Sequence, residues 1–409
     1  MLTKLRYGAD SVLQLDVPSD SLIAYCDAPR GKPISDVAAE LRQRLESPLD
    51  FPALALSVVP GDKVAIALDH EVPQAAVLVH EIVRVLLAQE ILASDISIVR
   101  NSADAMAPDP RELLPEDVRA EVQFIMHNAA DRDQLSYLAA SSKAKPIYLN
   151  RQICEADVLI PIGVSRLETS LANVGPAAGL FPTFSDEQTA QRYRAPKLLE
   201  LPARREKLKA LANEVQWLLG VAFAIQIVPG RANEILHIVA GRSDLVYETS
   251  QQLCEQAWSF EVPYRANVVI AAIEGTGEAQ SWQNVARALW AASNAVTEDG
   301  VVAVCTELSE HLGPATQRLC NADDLQQTLS EISKERPEDS LVAAELATAL
   351  QRGPLYLMSQ LDESVLDDLG IANVTGEEEL SRLVARYKSC ILISNAQHAV
   401  ATLAEDTAA

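Results

Sequence analysis

Short, almost wholly apolar runs alternate along this chain with longer stretches in which apolar residues recur every three or four positions. The runs at 63–68, 96–99, 122–126, 158–164 and 223–228 are brief and nearly uniform in their apolar character. They predict strands covered on both faces, as in a parallel sheet. Between them, 36–47 sets Val37, Leu41 and Leu45 on one helical face, and 73–89 does the same with Val77, Ile82, Leu86 and Leu87. A long helix is expected at 204–220, closed by Gly220. At the start, 13–17 and 22–25 flank Pro18-Ser19-Asp20-Ser21 and predict a hairpin. The alternation pauses at Glu261-Val262-Pro263 and then restarts with a strand at 266–272, a helix at 281–296 and strands at 301–305, 355–359 and 391–394.

This is the order of an α/β protein, and 409 residues exceed what one ordinary core organises. The expected architecture is two Rossmann-like α/β domains with mostly parallel sheets and a cleft between them. The first spans 1–262 and is completed by 390–409; the second spans 263–389. A discontinuous first domain is expected because chain termini commonly lie close together.

Composition narrows the function classes. Fifty-seven acidic residues against thirty-four Lys and Arg leave a net charge of −23, which repels polyanions, so nucleic acid is not an expected partner. No apolar run approaches the length of a membrane span, and Leu5-Arg6-Tyr7-Gly8 lacks the apolar core of a signal peptide. The six cysteines are widely spaced, without a Cys-x-x-Cys pair, and Cys305 and Cys390 lie within apolar runs. They read as reduced core residues, and the expected location is the cytoplasm.

Ligands of open α/β sheets bind at the C-terminal ends of strands, where neighbouring connections diverge. Four segments stand at such ends: Asp69-His70-Glu71-Val72-Pro73, 100–105, 163–179 and 274–287. The third, with strand 158–164, a Glu168-Thr169-Ser170 turn and the Gly175-to-Gly179 loop, resembles the cofactor-tethering region of the nickel-pincer lactate racemase family. The first resembles that family's Asp-His-Thr-Arg-Pro turn, with Asp69, His70 and Pro73 matching. In 274–287, Asn284 and Arg287 fall where the family places a Gln and a Lys. The resemblance extends from about Leu13 to about Asn395 and implies a racemase of 2-hydroxy acids. It further implies that Asp69, His70, Asn284 and Arg287 contact a small hydroxy acid or another small ligand in the cleft.

The same comparison exposes departures at the chemical groups. Glu71 and Val72 replace Thr and Arg, so the guanidinium that would clamp a substrate carboxylate is missing, and Glu71 would repel an anion. No lysine occurs between Lys145 and Lys197, and no histidine between His127 and His237. The tethering lysine and one catalytic histidine therefore have no counterpart, and Arg192-Tyr193 stands where a nickel-ligating histidine is expected. The other histidine is also missing, since none occurs from 81 to 126, which leaves Asp104 as the titratable group in that turn. Gly175 and Gly179 are candidates for a backbone nest for an anion. The expected reading is a degenerate racemase-like protein that carries no nickel-pincer nucleotide and keeps a ligand cleft. Two alternatives stay open: an enzyme on a 2-hydroxy acid using Asp69, His70 and Asp104, and an interaction protein whose acidic surface takes a basic partner.

Overall fold

The computed structural model describes residues 2–27, 29–101, 107–142, 144–167, 176–196 and 201–404. Two six-stranded sheets dominate it. The first has the spatial order Ile235–Arg242, Phe223–Pro229, Val158–Val164, Val64–Leu68, Ile96–Asn101, Gln123–His127. All neighbours are parallel except the Ile235–Arg242 edge strand. Val64–Leu68 is buried at every position because helices and loops cover both of its faces, which explains its lack of polar alternation. One face packs Leu41, Leu45, Leu78, Ile82 and Leu86 against Ile66 and Ile98, and the other packs Phe181, Phe184 and Val215 against Ala65 and Val99.

The second sheet has the order Ala372–Asn373, Leu355–Met358, Val296–Cys305, Ala266–Ala272, Cys390–Ile393, Leu22–Cys26, with every pair parallel. The Trp282–Ala295 helix covers it through Val285, Ala288, Leu289 and Ala292. Leu5, Leu13 and Leu15 cover its opposite face. Four of the six cysteines are buried, and all six are free thiols. No helix among the described residues is long and apolar enough to cross a membrane.

Two expectations about the ends of the chain are corrected. The N-terminal hairpin is formed by Leu2–Tyr7 and Ser11–Asp16, whereas Leu22–Cys26 leaves it and runs parallel to Cys390–Ile393. That last strand, expected to complete the first domain, pairs on its other side with Ala266–Ala272. Both chain ends thus build the second sheet. The physical reason is burial: every residue of Cys390–Ile393 is buried, and the strand requires neighbours on both edges. A short apolar run cannot declare which sheet it joins, since both cores offer the same chemistry. At 259–262, where the alternation pauses in the sequence, Ser259–Val262 pairs in parallel with Val400–Leu403.

Sheet order locates the two switch points. From Val64–Leu68 the chain moves to Ile96–Asn101 on one side, and Val158–Val164 returns on the other, so the crevice opens above Asp69. Ala266–Ala272 likewise lies between Val296–Cys305 and Cys390–Ile393, placing the second crevice above Glu274.

Candidate functional site

The two crevices face each other, and polar side chains from both lobes meet there. Glu71 is the centre. Its backbone is left-handed, with φ 56°, and its side chain points away from its own lobe's core toward the Trp282–Ala295 helix. Asn284 Nδ2 donates to Glu71 Oε1 at 2.9 Å, and Arg287 donates to Oε2 at 2.6 Å. Arg166, just beyond the Val158–Val164 strand, donates to the same Oε2 at 3.1 Å and to the His70 carbonyl at 2.9 Å. His70 Nε2 lies 3.3 Å from Oε1. One carboxylate is thus bound by groups from three separate segments.

The Trp282–Ala295 helix begins where it does because the Ser281 hydroxyl caps it, accepting from Asn284 N. Asn284 and Arg287, one turn apart, then share a face, and Arg287 donates to Asn284 Oδ1 at 2.7 Å. Their side chains are buried: Asn284 is 2% exposed and Arg287 5%. Burial by itself would raise the Glu71 carboxyl, but Arg287, His70 and Arg166 outweigh it and hold it well below the usual carboxylate range. Glu71 is therefore ionised, and the Glu71–Arg287 pair is an ion pair between lobes.

Asp69 lies beside this cluster rather than within it. Its Oδ1 accepts from His70 N, and Oδ2 is 3.8 Å from Arg166. A second bridge between lobes surrounds Glu274, where Asn395 Nδ2 donates to Oε1 at 2.6 Å and Arg231 lies 3.5 Å away. Asn395 Oδ1 in turn accepts from Ala232 N of the first lobe.

Beside the Glu71 cluster lies a cleft of about 530 Å³, lined among others by Val72, Arg100, Leu113, Asn233, Asn284 and His398. His398 follows the last strand of the second sheet, and its ring packs on Trp258 at a centroid distance of 5.3 Å. Burial, reinforced by the Arg166 and Arg287 charges, lowers its pKa to about 3, so the imidazole is neutral. Leu180 and Phe181 lie in the core under the first sheet and leave the cleft open.

Of the residues singled out from sequence, the structure brings together His70, Asn284 and Arg287, with Asp69 linked through Arg166. Asn284 and Arg287 are not an exposed helix face. Glu71, Arg166 and His398 were not read as site residues. An acid directly after a matched Asp-His pair was a signal for Glu71, whereas nothing local distinguishes Arg166 or His398. Asp104, Glu168-Thr169-Ser170 and Gly175 lie outside the described residues. Gly179 sits against Asp69, with a methyl at its Cβ position falling 3.5 Å from Oδ2. That carboxylate disfavours an anion nest at this point.

Residues 7–195 match the family described as the lactate racemase N-terminal domain. That match takes in a little under half of the chain and stops within the first lobe. Its fold is similar to that of the lactate racemase apoprotein from Thermoanaerobacterium thermosaccharolyticum, with a TM-score of 0.78 and 15% identity over 98% of this chain and 100% of the other. A structural-genomics protein from Thermotoga maritima is similar as well, with a TM-score of 0.66 and 12% identity over 91% of this chain and 99% of that one. None of the curated proteins compared matches the sequence.

The family's nickel-pincer nucleotide finds a poor donor set in the described residues. Tyr193, at the position expected for a nickel-binding histidine, packs its ring edge-on against Phe181 and donates its hydroxyl to the Leu208 carbonyl. Burial raises its pKa, so it is no anionic ligand at neutral pH. His127 is fully engaged: Nε2 donates to the Ser185 carbonyl at 3.0 Å, and Nδ1 lies 3.3 Å from Asn150 Nδ2. No cluster of three or more His, Cys, Asp or Glu among the described residues is arranged to hold a metal ion.

Proposed function

We propose that this chain is a catalytically degenerate member of the lactate-racemase-like family that retains the cleft between its lobes as a binding site for a small ligand and carries no nickel-pincer nucleotide. The observation that supports this most directly concerns bases. Inverting a stereocentre through a planar intermediate calls for a proton-exchanging group on each face. His70 is paired with Glu71, and His127 is saturated inside the first lobe. Among the described residues, His398 is the histidine whose side chain lines the cleft, and its imidazole is held neutral. The absence of lysine from 146 to 196 removes the amine that would tether the cofactor.

The test is an assay of lactate interconversion on protein produced with nickel and the cofactor-making machinery, together with intact-mass measurement. The expected result is no racemisation and the mass of the unmodified chain. Racemisation or a covalent nucleotide adduct would defeat the proposal. The place of His398 in the cleft lining leaves one second reading, an enzyme that acts on a 2-hydroxy acid with a changed set of catalytic groups. Turnover abolished by His398→Gln would distinguish that reading.

A further inference from the structure

The cluster around Glu71 has the composition of an anion receptor. Two guanidiniums and one carboxamide converge on a single carboxylate, and they come from both lobes. Charge-assisted hydrogen bonds from arginine to a carboxylate are roughly twice as strong as neutral ones. Here the bound carboxylate belongs to the chain itself. It is delivered on a left-handed backbone that a side chain adopts at some conformational cost, so the surrounding contacts, not local preference, hold it there.

The receptor also has unused capacity. Arg166 Nε and Arg287 Nε are buried and have no hydrogen-bond partner. A void of about 10 Å³ lies between Arg166, Arg287, Cys254 and His398, close to the space one water needs. Charge supplies the balance: Arg166 and Arg287 are offset by Asp69 and Glu71. With Glu71 in place, two carboxylates stand against the two guanidiniums, which lowers the electrostatic demand for an outside anion. Without Glu71 it carries one uncompensated positive charge beside the open cleft.

We propose that Arg166, Asn284 and Arg287 form a carboxylate subsite that Glu71 occupies as a built-in ligand, closing the cleft of this chain to small monocarboxylates. The ligand of the unaltered cleft is then one without a carboxylate at this end. This inference rests on the cleft being a ligand site but not on the loss of catalysis.

Glu71→Gly tests it, because glycine accepts the left-handed backbone and leaves the subsite empty. Acetate and formate are titrated into the unaltered chain and the variant, with sodium chloride at equal ionic strength as control, and followed by calorimetry and thermal shift. Acetate is expected to bind Glu71→Gly at least about tenfold more tightly than the unaltered chain, and to raise its melting temperature by mass action. In Glu71→Gly/Arg287→Met the response is expected to be lost. Equal affinity of the two proteins for acetate overturns the inference, as does a response that survives in the double variant. If Glu71→Gly folds only in acetate, the proposal is supported. If it stays unfolded in acetate, the external carboxylate cannot replace Glu71 and the proposal fails. None of these outcomes depends on racemisation by the unaltered chain.

Discussion

Replacing Arg287 with Met isolates the ion pair that joins the lobes. The side chain is 5% exposed, and its partner Glu71 12%. Methionine preserves most of the aliphatic volume, so the change is chiefly one of charge and hydrogen bonding. Removing one member of a buried pair typically costs about 3–5 kcal/mol, because the other is left ionised without compensation. Glu71 would keep Arg166 at 3.1 Å and Asn284 at 2.9 Å, but Asn284 Oδ1 would lose its donor. The lower end, about 3 kcal/mol, is therefore expected. Removing both charges in Glu71→Gln/Arg287→Met should cost less than the sum of the single changes, with a coupling of about 2 kcal/mol. Urea unfolding at pH 7, followed by tryptophan fluorescence, suits the measurement, since Trp258 and Trp282 are buried in the affected lobe. A loss below about 1 kcal/mol for Arg287→Met, or strict additivity in the double variant, would refute the picture of a charged clasp.

Two further outcomes follow from the same geometry. His398 stays neutral in the folded chain down to about 3, against 6.5 when free, with Arg166, Arg287 and Glu71 as its charged neighbours. Between those values the unfolded chain takes up a proton that the folded chain does not, so stability falls as pH falls. The Glu71 contribution has the same sign: it is present in full above about pH 4.5 and is lost as pH drops through its lowered folded value. His398→Leu should therefore flatten the stability profile between pH 6.5 and 3 by up to about 1.4 kcal/mol per pH unit; an unchanged slope in urea titrations would contradict the burial of a neutral imidazole. Gly241→Ala tests the edge of the first sheet. Its φ is +143°, and a Cβ would fall 2.3 Å from the Leu49 carbonyl oxygen, which accepts from Arg242 N. A loss of more than about 2 kcal/mol is expected, with faster hydrogen exchange at the Leu49 and Arg242 amides.

The sequence alone determined the elements and the fold class. Strands such as Val64–Leu68 and Ala266–Ala272 are legible because burial on both faces demands an unbroken apolar run, and helices such as Val37–Glu46 because one buried face demands a period near four. The pairing of Asn284 with Arg287 on one face was legible too, since helical geometry is local. The partners of those elements were not. Cys390–Ile393 and Leu22–Cys26 entered the second sheet although nothing in their composition separates one apolar neighbour from another. The site shows the same limit more sharply. Glu71 and Arg287 are 216 residues apart, and Arg166 and His398 are identifiable only once two switch points are folded face to face. Read as a sequence position, Glu71 repels an anion; in the folded protein it is the anion, because opposite charges that meet through tertiary packing leave no trace in local spacing.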